Sequence, residues 1–294
     1  IGLVGSEMCI RDRGRAAFVD TGVNKSVPLL LDALERQAVD VADVDFVFLT
    51  HIHLDHAGGA GLLLEHLPNA RCVVHPRGAP HMIEPSRLIA GTEAVYGVDK
   101  TRGIYGDIRP IDAARVVEPS DGERFSLVGR EFEVFYTEGH ARHHYCLSDP
   151  QSRGVFTGDS FGVSYRQLDT AAGPAIFPTS TPVHFDPVEA HRAVDRIMAY
   201  APEQVYLTHY SRVSDLDRLA VEMHRGIDDY VAMAHAHAGD ADRSGKLRAA
   251  MSNYFISRLR DHGFTGDPDT IESILGLDIE LNAQGLEVWL DRQL

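Results

Sequence analysis

At 294 residues, 44% of them hydrophobic and 24% charged, the chain has an ordinary globular composition with enough apolar side chains for a sizeable core. Its formal net charge of −15, from 28 basic and 43 acidic residues, opposes binding to RNA or DNA, because that affinity rests on Lys and Arg neutralising phosphates. Apolar runs are too short for a membrane-spanning helix, so a small, neutral or weakly charged molecule is the expected partner, with neither nucleic acid nor membrane.

Three cysteines, Cys9, Cys72 and Cys146, have no paired or CxxC spacing, which points to reduced thiols and a cytoplasmic setting. Cys72 lies in the apolar run Arg71-Cys-Val-Val-His75 and reads as a small buried hydrophobe. Residues 1–13 lack an apolar signal core and show no periodicity. Their string Leu3-Val-Gly-Ser-Glu-Met-Cys-Ile-Arg-Asp-Arg13 reads as a non-native addition that leaves the domain short of its opening strands.

From there Ala16–Asp20 predicts a buried strand ending in the turn Thr21-Gly22. Val27, Leu30, Leu31, Leu34 and Ala38 then fall at helical spacing behind Ser26, an N-cap residue type, with Pro28 in the first turn. Phe46–Thr50 is a continuous apolar strand of the kind buried on both faces. Gly58-Gly59 lead into a short helix ending near Leu67, and Cys72–His75 is another strand, completing an α/β pattern.

Residues 76–120 are too long for a simple connection and predict an inserted helical lid or pocket wall. Two hairpins follow: Arg124–Val128 with Glu131–Thr137, and His144–Ser148 with Gly154–Thr157. Asp186-Pro-Val-Glu189 is a capping box that opens a helix to about Tyr200, and Gln204–Thr208 is a further strand. Beyond residue 213 the chain is expected to form a helical extension. One stripe is Leu216, Leu219, Ala220, Met223, Ile227 and Tyr230; Leu247, Met251, Tyr254 and Phe255 make another. A final helix is expected around Leu277–Leu290. These apolar faces suit a core or a homodimer face.

The chemistry concentrates at residues 51–56. Two histidines at i and i+2 project to one side of extended backbone, so His51 and His53 are able to share a cation. Asp55 and His56 turn over in the following loop toward a second position. Imidazoles with a carboxylate suit zinc, and also iron or manganese. Three more ligand-type residues stand where apolar strands end: His140 after Phe135–Gly139, Asp159 after Val155–Gly158, and His209 after Val205–Thr208.

These motifs, Thr50-His-Ile-His-Leu-Asp-His-Ala-Gly-Gly59, Glu138-Gly-His140, Thr157-Gly-Asp159, Leu207-Thr-His209 and Val19-Asp-Thr-Gly22, resemble those of the metallo-β-lactamase-fold superfamily, with glyoxalase II-like and lactonase-like branches nearest. The resemblance covers residues 16–210 and implies a four-layer αββα sandwich for a catalytic domain spanning 14–212. It implies His51, His53 and His140 on a first metal, Asp55, His56 and His209 on a second, and Asp159 bridging them. Asp20 would steady a ligand histidine.

Such a pair of zinc ions lowers the pKa of a bridging water to give hydroxide, which attacks an ester, thioester or lactone carbonyl. Asp55 is a candidate proton shuttle and Tyr165 a candidate hydrogen-bond donor to the tetrahedral oxyanion, with a packing role as the alternative. His143 and His144 either tune the site or flank a strand. The loop Phe177-Pro-Thr-Ser-Thr-Pro182, with His184, borders the pocket on this reading. His235 and His237, at i and i+2 on a helix, do not face one another and read as surface. A mononuclear iron sulfur dioxygenase of the persulfide dioxygenase type and a non-enzymatic metal-binding protein stand as alternatives.

Overall fold

The computed structural model describes residues 9–180 and 184–293. Residues 1–8 of the N-terminal string, and Thr181, Pro182 and Val183 of the pocket-bordering loop, lie outside the described residues. The fold is of the α/β class, with two sheets and several helices. The chain divides into two compact units, one made of the chain up to Tyr136 with His143–Gly158, the other of Thr137–Arg142 with the chain from Asp159 onward. Among the described residues no helix is long and apolar enough to cross a membrane.

In the first unit, β1 (Cys9–Asp12), β2 (Arg15–Val19), β3 (Val44–Leu49), β4 (Arg71–Val74) and β5 (Val116–Val117) form one sheet in that order. β1 runs antiparallel to β2 and the other neighbours are parallel. Part of the N-terminal string is therefore strand: Cys9 pairs with Phe18 and Asp12 with Arg15. Parallel strands are covered on both faces, which is why β2 and β3 are nearly unbroken apolar runs. Along β3 the period of two divides the work. Val47 and Leu49 pack with α1 (Val27–Arg36) and α3 (Ala60–His66). Phe46 and Phe48 face a second, antiparallel set of strands, where Phe48 meets Phe125 edge-on with ring centroids 5.4 Å apart.

That antiparallel set is β6 (Arg124–Leu127), β7 (Arg130–Tyr136), β8 (Tyr145–Asp149) and β9 (Gly154–Gly158), each paired with the next. Residues 76–120 hold α4 (Ala79–Ile83), α5 (Ser86–Tyr96) and α6 (Val98–Tyr105), but also β5 of the first sheet, which the expected helical insertion did not include. Tyr105 and Ile108 of this stretch pack on Leu54 of the one-turn helix α2 (Leu54–Ala57), inside the histidine run itself.

The second unit holds α7 (Pro187–Ala199), the hairpin β10 (Gln204–Leu207) and β11 (Ser211–Val213), and three long helices, α8 (Leu216–His237), α9 (Arg243–Asp261) and α10 (Pro268–Asp291). The Asp186 carboxylate caps α7 by accepting from the Val188 and Glu189 amides at 3.1 and 3.2 Å, as the capping box predicts. α10 begins nine residues earlier than the apolar pattern around Leu277 indicates. Asp267 caps it through the Thr270 amide at 2.7 Å and Pro268 fills its first turn. Ile271, Leu275, Ile279 and Leu286 form its buried stripe.

Between α8 and α10 runs the segment around Pro178–Ser180, held tightly. The Tyr230 hydroxyl donates to the Pro178 carbonyl at 3.0 Å, and the Ser180 amide donates to Asn282 Oδ1 at 2.6 Å. A Cβ on Gly285 would lie 1.4 Å from the Ser180 carbonyl oxygen, so only glycine permits this approach.

Candidate metal centre

β3 ends at Leu49, the chain bends at Thr50, and His53, in extended backbone, precedes the single turn of α2. Asp55 and His56 therefore sit on a helical turn, not in the open loop that their glycine-rich context suggests. His51 and His56 are buried, His53 is half-buried and Asp55 is exposed. The β2 end supplies Asp20, buried and in the left-handed region at φ 58°.

Asp20 organises this set. Its carboxylate accepts from the Thr50 amide at 2.8 Å, from the Thr50 hydroxyl at 2.9 Å and from His56 Nδ1 at 2.8 Å. A carboxylate only accepts, so His56 Nδ1 carries the hydrogen and Nε2 presents its lone pair. The Thr50 hydroxyl, its own proton committed to Asp20, accepts from His51 Nδ1 at 3.1 Å. His51 Nε2 is then also a lone pair, and it faces His53 Nδ1 at 2.9 Å. His53 Nδ1 meets that lone pair as a hydrogen-bond donor in one tautomer, and in the other both nitrogens are open to a cation. Asp55 and His56 offer a further pair, with Oδ2 of Asp55 3.5 Å from His56 Nε2. This is the chemistry of a transition-metal ligand set whose tautomers are chosen by carboxylate and hydroxyl partners behind it.

The other three candidates assemble in the second unit. His140 Nε2 and His209 Nε2 each lie 3.6 Å from the carboxylate of Asp159, on its two different oxygens. His140 Nδ1 faces the Thr179 carbonyl at 3.4 Å, which leaves Nε2 as the ligating nitrogen. His140 and Asp159 line a narrow cleft with Pro178 and Thr179, so the expected pocket-bordering loop does border it in its described part. Close packing holds the approach to His140: a Cβ on Gly139, at φ 125°, would lie 2.5 Å from the Ala190 amide nitrogen. The structure thus gathers the seven sequence candidates as two ligand sets, four in the first unit and three in the second.

His143 and His144, left open between tuning and flanking, lie against the first set. The His143 ring stands edge-on to His53 with centroids 5.5 Å apart, and His144 stacks on His51 at 4.9 Å. Gly158 makes room for them: a Cβ there would meet His144 Nε2 and Thr50 Oγ1, both at 2.6 Å. His235 and His237 share no partner: His237 pairs with Asp240 at 2.7 Å and His235 meets Trp289.

Tyr165 carries a partner that the sequence does not announce. Its hydroxyl is 3.0 Å from both carboxylate oxygens of Asp278 on α10. Burial pushes the Asp278 carboxyl up to about 6, against the pull of the Tyr165 hydrogen bond and the nearby His209. The available signal was an aspartate interrupting the apolar run Leu277-Asp-Ile279 of a core helix.

Comparison with known proteins gives the family. A family model described as the metallo-beta-lactamase superfamily matches residues 7–209. A metallo-beta-lactamase fold-containing protein of Sulfurisphaera tokodaii is 29% identical over 204 residues, 67% of this chain and 69% of that protein. A hydroxyacylglutathione hydrolase of Synechococcus is 30% identical over 149 residues, 51% of this chain, and the chain spans only 45% of that relative's length. Among solved structures, an archaeal metallo-beta-lactamase superfamily protein from Sulfolobus tokodaii superposes with a TM-score of 0.65 at 23% identity, covering 96% of this chain and 93% of that one.

Proposed function

Because the chain belongs to the metallo-beta-lactamase superfamily, we propose that it is a hydrolase that holds two zinc ions and cleaves an ester, thioester or lactone of a small molecule. The observation that carries this reading is the meeting of His51 Nε2 and His53 Nδ1 at 2.9 Å, with His51 turned by Thr50 and His56 turned by Asp20. His51, His53 and His140 would hold one metal and Asp55, His56 and His209 the other, and Asp159, with an oxygen toward each of two histidines, would serve both. Two zinc ions supply Lewis-acid polarisation of a carbonyl and hydroxide at neutral pH.

The remaining chemistry belongs to the protein. Asp55, the exposed member of the set, takes up and hands on the proton released during attack. The Tyr165 hydroxyl supplies a hydrogen bond to the tetrahedral oxygen, and protonation of Asp278 frees that hydroxyl to turn from its partner. The similarity to a hydroxyacylglutathione hydrolase supports the thioester among the three substrate classes. The net charge of −15 and the three buried free cysteines support a small substrate and a cytoplasmic site of action.

Metal analysis of purified protein, followed by turnover of a panel of lactones, thioesters and β-lactams, tests the proposal. Two zinc ions per chain with hydrolysis of one class are expected. One iron per chain with oxygen consumption on a persulfide would replace it with the dioxygenase reading. His53→Ala is expected to lose a metal and turnover while keeping its fold, and unchanged activity would refute the assignment.

A further inference from the structure

Away from both ligand sets, the second unit carries another pair of histidines in close opposition. The rings of His191 on α7 and His224 on α8 meet end to end, with an interplanar angle of 9°, centroids 5.0 Å apart and their Nδ1 atoms 2.7 Å from each other. The outer nitrogens both face carboxylates. His191 Nε2 is 3.2 Å from Asp228 Oδ1, and His224 Nε2 is 3.2 Å from Asp195 Oδ1. Each helix contributes one His-x-x-x-Asp pair on a single face, and each aspartate serves the histidine of the opposite helix.

The Asp228 carboxylate accepts and does not donate, so His191 Nε2 carries a hydrogen, while Asp195 stands at ion-pair distance from His224. In a neutral ring His191 Nδ1 then directs its lone pair at His224 Nδ1 across 2.7 Å. Two states satisfy that contact: a hydrogen on His224 Nδ1, or a metal cation held by both nitrogens. Two carboxylates with two neutral imidazoles carry two negative charges, which favours a divalent cation. A carboxylate hydrogen-bonded to the far nitrogen, as Asp228 is to His191, is also the partner that orients metal-binding histidines and raises their basicity. The neighbouring Arg192 and Arg225 are turned to Glu189 and Asp229. The histidine side chains are 31% and 32% exposed, so an ion has access from solvent and water to complete its coordination. Two nitrogens on one tetrahedral zinc stand about 3.3 Å apart, so binding would tilt both rings toward a common point on their solvent side.

We propose that His191 and His224 form a surface site for one divalent transition-metal ion that favours imidazole, such as Zn²⁺, Ni²⁺ or Cu²⁺, separate from the two ligand sets above, with Asp195 and Asp228 orienting the rings. The test is calorimetric titration of Zn²⁺ into protein whose first metal sites are already loaded. One further binding event per chain is expected, displaced by Ni²⁺. It is absent from His191→Ala/His224→Ala, is weakened about 10–100-fold in Asp195→Asn/Asp228→Asn, and persists in His53→Ala. Circular dichroism checks the fold of each variant, and His191→Gln/His224→Gln stands in if the alanine pair does not fold. An unchanged titration in the histidine variants overturns the proposal, as does loss of the event in His53→Ala. No further event in the parent protein also overturns it, and assigns the contact to a shared proton.

Discussion

Replacing Asp20 separates what holds the fold from what prepares the metal ligands. The buried carboxylate receives the Thr50 amide on Oδ1 and His56 Nδ1 on Oδ2, both at 2.8 Å, with the Thr50 hydroxyl between them. Asp20→Ala strands two buried donors and puts alanine at φ 58°. At about 1–3 kcal/mol per stranded donor and about 1 kcal/mol for the left-handed backbone, the loss should reach about 3–7 kcal/mol. Asp20→Asn is more informative. Asparagine tolerates the left-handed backbone, but its amide has one accepting atom where the carboxylate has two. Whichever way the amide turns, an N–H confronts one of the two donors. A histidine moves its proton to Nε2 at less cost than a backbone amide loses its acceptor, so the Thr50 bond is retained and His56 changes tautomer. The lone pair needed for ligation is then consumed. Stability should fall by only about 1 kcal/mol, while zinc affinity drops at least about 10–100-fold. Urea unfolding of metal-free protein measures the first quantity and competition with a chromophoric chelator the second. An Asp20→Asn variant that binds zinc as tightly as its parent would refute the tautomer argument.

Gly285→Ala places a methyl against the Ser180 carbonyl and should lower stability by about 2–4 kcal/mol through overpacking and loss of the Ser180–Asn282 bonds, visible as a fall in Tm; an unchanged Tm would show that α10 can shift freely. Burial pushes His75 down to about 4, so between pH 6.5 and 4 the unfolded chain takes up a proton that the folded chain refuses. Stability should therefore fall with pH across that window by on the order of 3 kcal/mol, and His75→Gln should remove that part of the slope in urea titrations at each pH. Tyr165→Phe should cut kcat about 10²-fold or more if the hydroxyl meets the tetrahedral oxygen, with KM little changed. Equal turnover would leave Tyr165 a packing residue that anchors Asp278.

What was legible in the sequence follows from how each residue is carried. His51, Asp159 and His209 each stand directly beyond an apolar strand, so the covalent path delivers them to a strand end, and pattern alone locates them. The same holds for Asp20, one residue past β2. The β-strands of the first unit were readable because β2 and β3 must be apolar on both faces, and α7 because Asp186-Pro187 is an explicit start signal. α10 has the same signal in Asp267-Pro268, yet Gly276 and Asp278 interrupt its stripe and hide its first turns. Asp278 and Tyr165 are 113 positions apart, and no local preference brings an α10 aspartate to that hydroxyl. The His191–His224 pair lies between these cases. Both His-x-x-x-Asp spacings are visible in the sequence, but each alone describes an ordinary solvated helix face. They acquire chemistry only because α7 and α8 turn those faces toward each other, bringing two ring nitrogens to 2.7 Å. A ligand at a strand end is set by the chain leading to it. A ligand on a helix face exists only once the partner helix is placed, and that placement is determined by buried residues such as Ala193, Val194, Ile197, Met223 and Ile227, which carry no trace of the site themselves.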